Sequence, residues 1–366
     1  MKSLLFVSAT GGFQGGVESF IHQAAGVLGR QGILCRGIFA REGMDRERFL
    51  APFAAAAFGN ERLAEWARES DGVWVHKAAD LAALLPLRSL AKVAVYVHDH
   101  DYYCFRRHKY LPLGRINCPT PAGPWCRFCG MLSRRHGDWG SFRRNLAALR
   151  EMDSVIAGSD FMLDNLAHNG VARKKLIKLP PLIEMGGRPE GVPEPGRLLF
   201  VGQVIRGKGL DLLLRALVRV TCDWQLTVLG KGDDHEFCRS LAGRLGIADR
   251  VEFAGFVAEV EPYYRRSAVL VFPSRWSEPY GMTGPEAMAY GLPVVGFAVG
   301  GVGEWLHDGE NGLAARPRDV ADLAAKVECL LRNPKLAETL GANGREWTAQ
   351  FTGERFAARV KAIFAD

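Results

Sequence analysis

The chain has 366 residues, 48% of them hydrophobic, so it is long enough for two domains with separate cores. No apolar run approaches the roughly 20 residues that a membrane-spanning helix needs. The first eight residues are too short for a signal-peptide core and lead into a glycine-rich loop, so we predict a first strand and a cytoplasmic protein.

The formal net charge of +7 comes from one segment of the chain. Residues 101–150 contain only two acidic residues, Asp101 and Asp138. The ten basic residues of this segment are Arg106, Arg107, Lys109, Arg115, Arg127, Arg134, Arg135, Arg143, Arg144 and Arg150. Such a basic segment suits an anionic membrane surface, a phosphorylated substrate or nucleic acid, and a solvated surface is the alternative.

Short apolar runs alternate with helix-like segments along the first half of the chain. The predicted strands there are Leu4–Val7, Gly72–Val75, Val93–Val97 and Val155–Ala157. This alternation predicts a parallel sheet with helices on both faces. We therefore assign residues 1–187 to a first Rossmann-like domain.

The segment 188–196 is rich in Gly and Pro and is predicted to be a linker. The alternating pattern then restarts and defines a second domain, 197–352. Its predicted strands and helices are Leu198–Val204, Leu226–Leu229, Val251–Phe253, Val269–Phe272 and Val294–Phe297, and Leu210–Val220, His235–Leu245 and Val320–Leu331. The amphipathic segment 353–366 is expected to pack back on the first domain. The predicted fold is α/β, with two doubly wound Rossmann-like domains facing a central cleft.

The stretch from Phe272 to Val295 is predicted to be a strand, a loop, a helix at residues 286–290 and another strand. A loop at the carboxyl end of a parallel strand is where α/β proteins bind ligands. The amides near Tyr280–Thr283 could cradle a phosphate at the helix start. The alternative is structural: Thr283-x-x-Glu286 fits a capping box, and Glu278 would be a carboxylate near a helix N-terminus.

Two further loops carry weaker signals. The segment 10–20 is a glycine-rich turn that opens a helix near Glu18, but it lacks the spacing of a dinucleotide fingerprint or a P-loop. The loop with Arg206 and Lys208 places two cations beside a helix start, where they could neutralise a leaving diphosphate. Solvent-exposed cations are the alternative interpretation of the second loop.

Four of the eight cysteines, Cys104, Cys118, Cys126 and Cys129, lie within the basic segment. One Cys-x-x-Cys pair with two further thiols fits a tetrahedral structural zinc site, although the spacing matches no common zinc finger. Reduced or partly disulfide-linked thiols remain the alternative. The other four cysteines lie at apolar positions and are predicted core residues.

Taken together, the motifs resemble those of one family, the retaining, nucleotide-sugar-dependent glycosyltransferases of the GT4 family, which have the GT-B fold. The resemblance covers nearly the whole chain. It rests on Gly15-Gly16-Val-Glu18, Val-Gly-Gln-x3-Gly-Lys208-Gly, Leu-Gly230-Lys-Gly232, Phe253-Ala-Gly255-Phe-Val and Ser277-Glu278-Pro-Tyr-Gly-x4-Glu286-Ala-Met-Ala-x-Gly-Leu-Pro-Val-Val. The last motif, with its two glutamates in this order of neighbours, is the most specific.

The resemblance implies a role for each matching residue of the second domain. Glu278 would contact hydroxyls of the donor sugar, and Glu286 would hold the ribose hydroxyls of the nucleotide. Lys208 would bind the diphosphate, and the backbone near Phe256 and Val257 would meet the base. The stretch that would bind sugar and phosphate oxygens comprises Tyr280, Gly281, Met282 and Thr283.

The resemblance implies that the first domain lies on the acceptor side, that its Gly16 lies near the phosphates and that its His98 contacts the transferred sugar. A structural histidine is the alternative for His98. Relatives often have arginine where this chain has Gln203, so we expect Arg206 to supply the second positive charge. We assign catalysis to His98, Glu278 and Lys208, with no cofactor required.

The implied activity is transfer of a hexose from a UDP- or GDP-sugar to a saccharide or lipid-linked acceptor, with retention of configuration, in polysaccharide or lipopolysaccharide biosynthesis. The basic segment would place the enzyme peripherally on an anionic membrane surface. A nucleotide-sugar 2-epimerase of the same fold is the alternative. A nucleic-acid-binding protein is disfavoured because exposed aromatics at regular spacing are lacking.

Overall fold

The chain folds into two compact units in the computed structural model. The first unit comprises Met1–Leu182 and Phe351–Asp366, and the second comprises Ile183–Gln350. The structure describes residues 1–106, 108–111, 116–131, 138–185 and 193–365. Most of the predicted linker, residues 188–192, lies outside the described residues, as do four basic residues of the 101–150 segment, Arg107, Arg115, Arg134 and Arg135.

The first unit is built on a seven-stranded parallel sheet with the order β3-β2-β1-β4-β5-β8-β9. Its strands are β1 (Ser3–Gly11), β2 (Leu34–Glu42), β3 (Ala55–Phe58), β4 (Gly72–Lys77), β5 (Lys92–Tyr96), β8 (Ser154–Ala157) and β9 (Leu176–Lys178), and β6 (Tyr110–Leu111) and β7 (Ile116–Asn117) form a separate antiparallel pair. Its helices are α1 (Gly16–Arg30), α2 (Arg46–Leu50), α3 (Leu63–Arg68), α4 (Trp125–Met131), α5 (Trp139–Glu151) and α6 (Asp160–His168).

The second unit is built on a six-stranded parallel sheet with the order β12-β11-β10-β13-β14-β15. The strands are β10 (Arg197–Val201), β11 (Gln225–Leu229), β12 (Val251–Gly255), β13 (Val269–Phe272), β14 (Val294–Phe297) and β15 (Gly312–Ala315). The helices are α7 (Leu210–Leu217), α8 (His235–Arg244), α9 (Glu261–Arg266), α10 (Thr283–Ala289), α11 (Val320–Arg332) and α12 (Pro334–Thr348). Both sheets have the doubly wound order, so the prediction of two Rossmann-like domains is confirmed.

Alternate residues of the first unit's strands fill two separate cores. Leu5 and Val7 of β1 face one core, whereas Leu4 and Phe6 face the other, because successive side chains of a strand point to opposite faces. The last helix, α13 (Gly353–Ala365), contributes to the second of these cores. There the ring of Phe364 lies so close to Gly72 that a Cβ at that glycine would be 2.2 Å from it.

The sequence analysis did not identify β2, β3, β9 and β15. The first of these, Leu34–Glu42, contains three charged residues and is exposed at its end. The other three have only three or four residues each. Such strands are held by hydrogen bonds to a neighbouring strand rather than by their own apolar pattern. None of the helices in the described part of the chain has both the length and the apolar character needed to cross a membrane.

Candidate functional site

Two loops of the second unit meet at the point where the strand order of its sheet reverses. Strands β10 and β13 are neighbours at this point, which is where doubly wound sheets bind their ligands. The loop after β10 carries Lys208 and the loop after β13 carries Glu278. Lys208 Nζ donates to both carboxylate oxygens of Glu278, at 2.8 and 3.0 Å. The topology therefore joins two predicted site residues that are distant in sequence.

The turn that carries Lys208 requires glycine at its end. Gly209 has a φ of 74°, and a Cβ there would lie 1.9 Å from the carbonyl oxygen of Pro273. The amide of Arg275 donates to Gly207 O at 2.9 Å, which ties the two loops together from the other side. Close backbone contact between the loops thus fixes the position of Lys208 opposite Glu278.

Glu278 is a buried carboxylate with three donors around it. Besides Lys208, Ser274 Oγ donates to it at 2.5 Å and Trp276 Nε1 at 2.9 Å. Burial alone would raise the pKa of Glu278, but the charge of Lys208 and these hydrogen bonds together lower the pKa below its ordinary value. The carboxylate is therefore ionised at neutral pH and can accept hydrogen bonds from ligand hydroxyls.

Glu286 lies on α10 in a different electrostatic environment. The hydroxyl of Tyr264 donates to Glu286 Oε2 at a distance of 3.4 Å. Burial raises the pKa of Glu286, the hydrogen bond from Tyr264 opposes this shift, and the charge of Glu184 adds to it. A carboxylate that is partly withdrawn from water without a cation gains from accepting hydrogen bonds, such as those of a diol.

The start of α10 does not form the capping box that was the alternative interpretation. The N-cap residue is Met282, and no side chain caps the helix. Thr283 is the first helical residue, and the amide of Glu286 donates to Met282 O at 2.9 Å as in an ordinary helix. Gly281 has a φ of 85°, and Tyr280 is buried, with its carbonyl oxygen accepting from Trp305 Nε1 at 2.7 Å. The helix also begins three residues before the predicted start at Glu286.

The side chain of Arg206 contacts an acidic and an aromatic residue of the second unit. Its guanidinium lies 3.2 Å from Asp211 Oδ2 and over the ring of Phe237, 4.4 Å from the centroid. Asp211 also accepts from the buried Arg275. Arg206 is exposed and partly neutralised by this network, and its predicted contribution to the diphosphate clamp stays a prediction.

The loop predicted to meet the nucleotide base follows β12. Phe256 is 71% exposed, whereas Val257 packs against the core of the second unit. An exposed aromatic ring beside a half-buried residue leaves a surface that a flat base can cover. The base contact itself stays a prediction.

His98 and Gly16 belong to the first unit. His98 follows β5, is half-buried, and its Nε2 lies 3.0 Å from Nδ1 of His76 on β4. Burial lowers the pKa of His98 to about 3, with the charge of Asp99 opposing this shift and that of Lys77 adding to it.

Gly16 is the exposed first residue of α1, and no described atom would lie within 4 Å of a Cβ placed there. Packing therefore does not explain the glycine at this position.

The sequence analysis missed several residues that support these side chains. Ser274 and Trp276 precede Glu278 by four and two residues in the same loop, and this short spacing could have predicted that they donate to its carboxylate. Tyr264 lies on α9 and His76 on β4, far from their partners in sequence. Only the packing of helices brings Tyr264 to Glu286, and only the pairing of strands brings His76 to His98.

The four cysteines of the basic segment are all free thiols. Cys104 Sγ accepts from the amide of Lys109 at 3.2 Å, and Cys126 Sγ from the amide of Gly123 at 3.5 Å. In the described ranges, no three His, Cys, Asp or Glu side chains are arranged to hold a metal ion. The geometry thus gives the zinc site no support, and zinc binding by Cys104, Cys118, Cys126 and Cys129 stays a prediction.

Part of the second unit matches a known protein family. Residues 189–347 match the family model described as Glycosyl transferases group 1. This segment contains Lys208, Glu278 and Glu286, together with Phe256 and the start of α10. The match therefore falls on the second unit.

Two relatives illustrate the range of similarity. An uncharacterized glycosyltransferase of Methanocaldococcus jannaschii is 34% identical over 46% of this chain and 47% of its own length. The chain thus spans about half of that relative. A lipopolysaccharide core biosynthesis mannosyltransferase of Rhizobium leguminosarum bv. viciae is 29% identical over 65% of this chain and 70% of its own length.

Among solved structures, HepE of Anabaena in complex with UDP superposes with a TM-score of 0.78 at 16% identity and covers 100% of both chains. At this identity the likeness concerns the fold. The second unit of this protein is thus similar to the glycosyl transferases group 1 family, and the chain has the two-domain GT-B fold.

Proposed function

We propose that the protein is a retaining glycosyltransferase of the GT4 type, which moves a hexose from a nucleotide-diphosphate sugar to a saccharide or lipid-linked acceptor. The observation that supports this proposal most is the ion pair between the half-buried Lys208 and the buried Glu278 at the switch point of the second sheet. It supplies one cation for a leaving diphosphate and one carboxylate for sugar hydroxyls, side by side.

In the proposed reaction, the bond between the anomeric carbon and the diphosphate oxygen breaks. The acceptor hydroxyl forms the new bond on the same face of the sugar, and a phosphate oxygen takes its proton. Lys208 neutralises the charge that develops on the diphosphate, and Glu278 orients the sugar. The anomeric configuration of the product, measured by NMR, tests retention, and an inverted product would contradict it.

We propose a UDP-sugar as the donor, with a GDP-sugar as the variant that the sequence left open. The similar fold of HepE was solved with UDP bound, which supports this choice. Glu286 would accept hydrogen bonds from the ribose hydroxyls, the amides of Gly281, Met282 and Thr283 would bind sugar and phosphate oxygens, and Phe256 would flank the base. The mannosyltransferase relative of lipopolysaccharide synthesis supports a saccharide or lipid-linked acceptor.

Thermal-shift titration tests the donor proposal and the role of Glu286 together. UDP should raise the melting temperature, and 2′,3′-dideoxy-UDP should bind about tenfold more weakly, because the half-buried carboxylate of Glu286 loses two hydrogen-bond donors of the ligand. The variant Glu286→Gln should bind both ligands equally weakly.

The UDP affinity of the wild type should also fall as the pH is lowered. The raised pKa of Glu286 means that this carboxylate is protonated at a higher pH than an ordinary glutamate.

Glu328→Gln serves as the matched control, because Glu328 is a surface carboxylate on α11 that pairs with Arg332. It should leave both affinities unchanged. A wild-type protein that binds UDP and its dideoxy analogue equally would contradict the ribose contact, and a protein indifferent to UDP, GDP and ADP would contradict the proposed function.

We further propose that the enzyme docks on an anionic membrane through α4. Trp125, Phe128 and Met131 of this helix are 80%, 62% and 69% exposed. Phe128 and Met131 line a groove of about 750 Å³ whose lining also includes the arginines Arg127 and Arg143. Exposed aromatic side chains flanked by arginines are typical of surfaces that insert shallowly into anionic lipid.

Vesicle co-sedimentation tests this surface. The wild type should bind vesicles that contain phosphatidylglycerol and not vesicles of phosphatidylcholine alone. The double variant Trp125→Ser/Phe128→Ser should reduce binding about tenfold, because two large apolar side chains no longer leave water. Met44→Ser, at a residue that is 67% exposed elsewhere on the first unit, should have no effect. Equal binding to both kinds of vesicle, or unchanged binding of the double variant, would contradict the docking surface.

A further inference from the structure

Two histidines of the first unit are paired where the carboxyl ends of β4 and β5 lie side by side. His76 is the penultimate residue of β4, and His98 follows β5 by two positions. Nδ1 of His76 lies 3.0 Å from Nε2 of His98. The ring of Tyr96 stacks on His98 with centroids 4.4 Å apart, and the ring of Phe6 stacks on His76 with centroids 5.4 Å apart. The two imidazoles are thus held rigidly by aromatic neighbours.

Both rings are neutral at neutral pH. Burial lowers the pKa of His76 far below its ordinary value, and burial likewise lowers the pKa of His98 to about 3. A neutral imidazole has one ring nitrogen that donates and one that accepts. The contact between His76 and His98 therefore has two possible arrangements, which differ in the ring that carries the shared proton.

The remaining nitrogen of His76 distinguishes the two arrangements. His76 is buried, and its Nε2 has no partner among the described residues. If His98 were the donor, His76 Nε2 would carry a hydrogen and become a buried N–H without an acceptor, which native structures rarely contain. If His76 is the donor, its Nε2 is left as a bare acceptor instead.

The neighbouring Trp74 favours the second arrangement. The indole of Trp74 lies 4.7 Å from the His76 ring between centroids, and its Nε1 is also buried and unpartnered among the described residues. An indole nitrogen can only donate. A bare acceptor on His76 adds no second unpartnered N–H to this part of the core, whereas a hydrogen on its Nε2 would leave two neighbouring rings with buried donors and no acceptors among the described residues.

We propose that His76 is a positioning residue that donates from Nδ1 to His98 Nε2 and thereby fixes His98 in the tautomer whose Nδ1–H is available to a ligand. The assignment of the tautomers rests on the fold of the first unit alone. The identity of the ligand, a sugar hydroxyl oxygen, rests on the proposed function.

This assignment gives His98 a defined chemical role. With Nε2 occupied by His76 and Nδ1 already carrying hydrogen, His98 has no free lone pair to take a proton from the acceptor hydroxyl. It can donate a hydrogen bond and cannot serve as a general base. This agrees with a reaction in which a phosphate oxygen takes the acceptor proton.

The tautomers are measured directly by nitrogen-15 NMR of the histidine side chains in the unliganded protein of residues 1–366 at neutral pH. Loss of single signals in His76→Asn and His98→Gln assigns the two rings. Both His76 and His98 should carry hydrogen on Nδ1 and none on Nε2. Hydrogen on Nε2 of His98 would overturn the proposal, whether or not the protein transfers sugar.

Enzyme kinetics then test the consequence. His76→Phe removes the donor and should lower kcat about tenfold with little change in the KM for the donor sugar, the size expected for one lost hydrogen bond. His76→Asn, whose amide can donate from a similar position, should restore most of the activity. Tyr96→Phe, which keeps the stacking ring, should retain wild-type kcat.

The two kinds of failure are distinguishable. If the NMR result holds and no sugar is transferred, the proposed function fails and the positioning role stands. If the enzyme is active and His76→Asn is as impaired as His76→Phe, the positioning role fails and the function stands. The tautomers are measured in the wild type, and the variants serve only to assign its signals. If one variant does not fold, its ring is assigned in the wild type through the stacked neighbour instead, Phe6 for His76 and Tyr96 for His98.

Discussion

Lys208→Met should lower kcat/KM for sugar transfer by about a thousandfold, because it removes the cation that faces the leaving diphosphate. It should also lower the free energy of unfolding by about 3 kcal/mol, since Glu278 would remain buried and ionised without its partner. Activity is measured as release of the nucleoside diphosphate, and stability by denaturant unfolding.

A double variant separates the two effects. In Lys208→Met/Glu278→Gln both charges are gone, so most of the lost stability should return while the activity stays lost. Lys326→Met is the matched control: its ammonium pairs with Asp308 at 3.0 Å on the surface, and its loss should cost less than about 1 kcal/mol and no activity. Recovery of activity in the double variant would show that neither charge is needed for catalysis and that Lys208→Met acts only through folding.

Gly209→Ala should destabilise the second unit by about 3 kcal/mol and lower the activity with it. A left-handed backbone costs a non-glycine residue about 1 to 2 kcal/mol, and overpacking costs about 1 to 3 kcal/mol more. The added Cβ would meet the Pro273 carbonyl at 1.9 Å. The turn must shift to relieve this clash, and Lys208 shifts with it.

Gly246→Ala is the control for backbone strain. Gly246 has a φ of 70°, close to that of Gly209, and no described atom would lie within 4 Å of a Cβ there. It should cost only about 1 kcal/mol and leave the activity unchanged. Unfolding is followed by urea titration of tryptophan fluorescence. Equal destabilisation by the two variants would mean that the contact with Pro273 does not constrain the turn.

The sequence carried most of the information for the site of the second unit. Lys208 and Glu278 each lie in a short loop that contains Gly or Pro and charged residues and follows an apolar strand, and Glu286 lies on the next helix after Glu278. These are local patterns. The structure places Lys208 and Glu278 in contact, as expected of residues that serve one ligand. The expectation for Arg206 rested on a departure from the family pattern; its side chain lies against Asp211 and Phe237, and its role in binding the diphosphate stays a prediction.

The sequence by itself determined the parallel α/β architecture, because buried strands and amphipathic helices each have a periodicity that local side chains set. Only the tertiary structure decided which residues support the site: Tyr264 beside Glu286 and His76 beside His98. It likewise decided that β2 and β3 are strands, since their hydrogen bonds come from neighbours in the sheet. Contacts of this kind depend on the order of strands and the packing of helices, and no local pattern of residues encodes them.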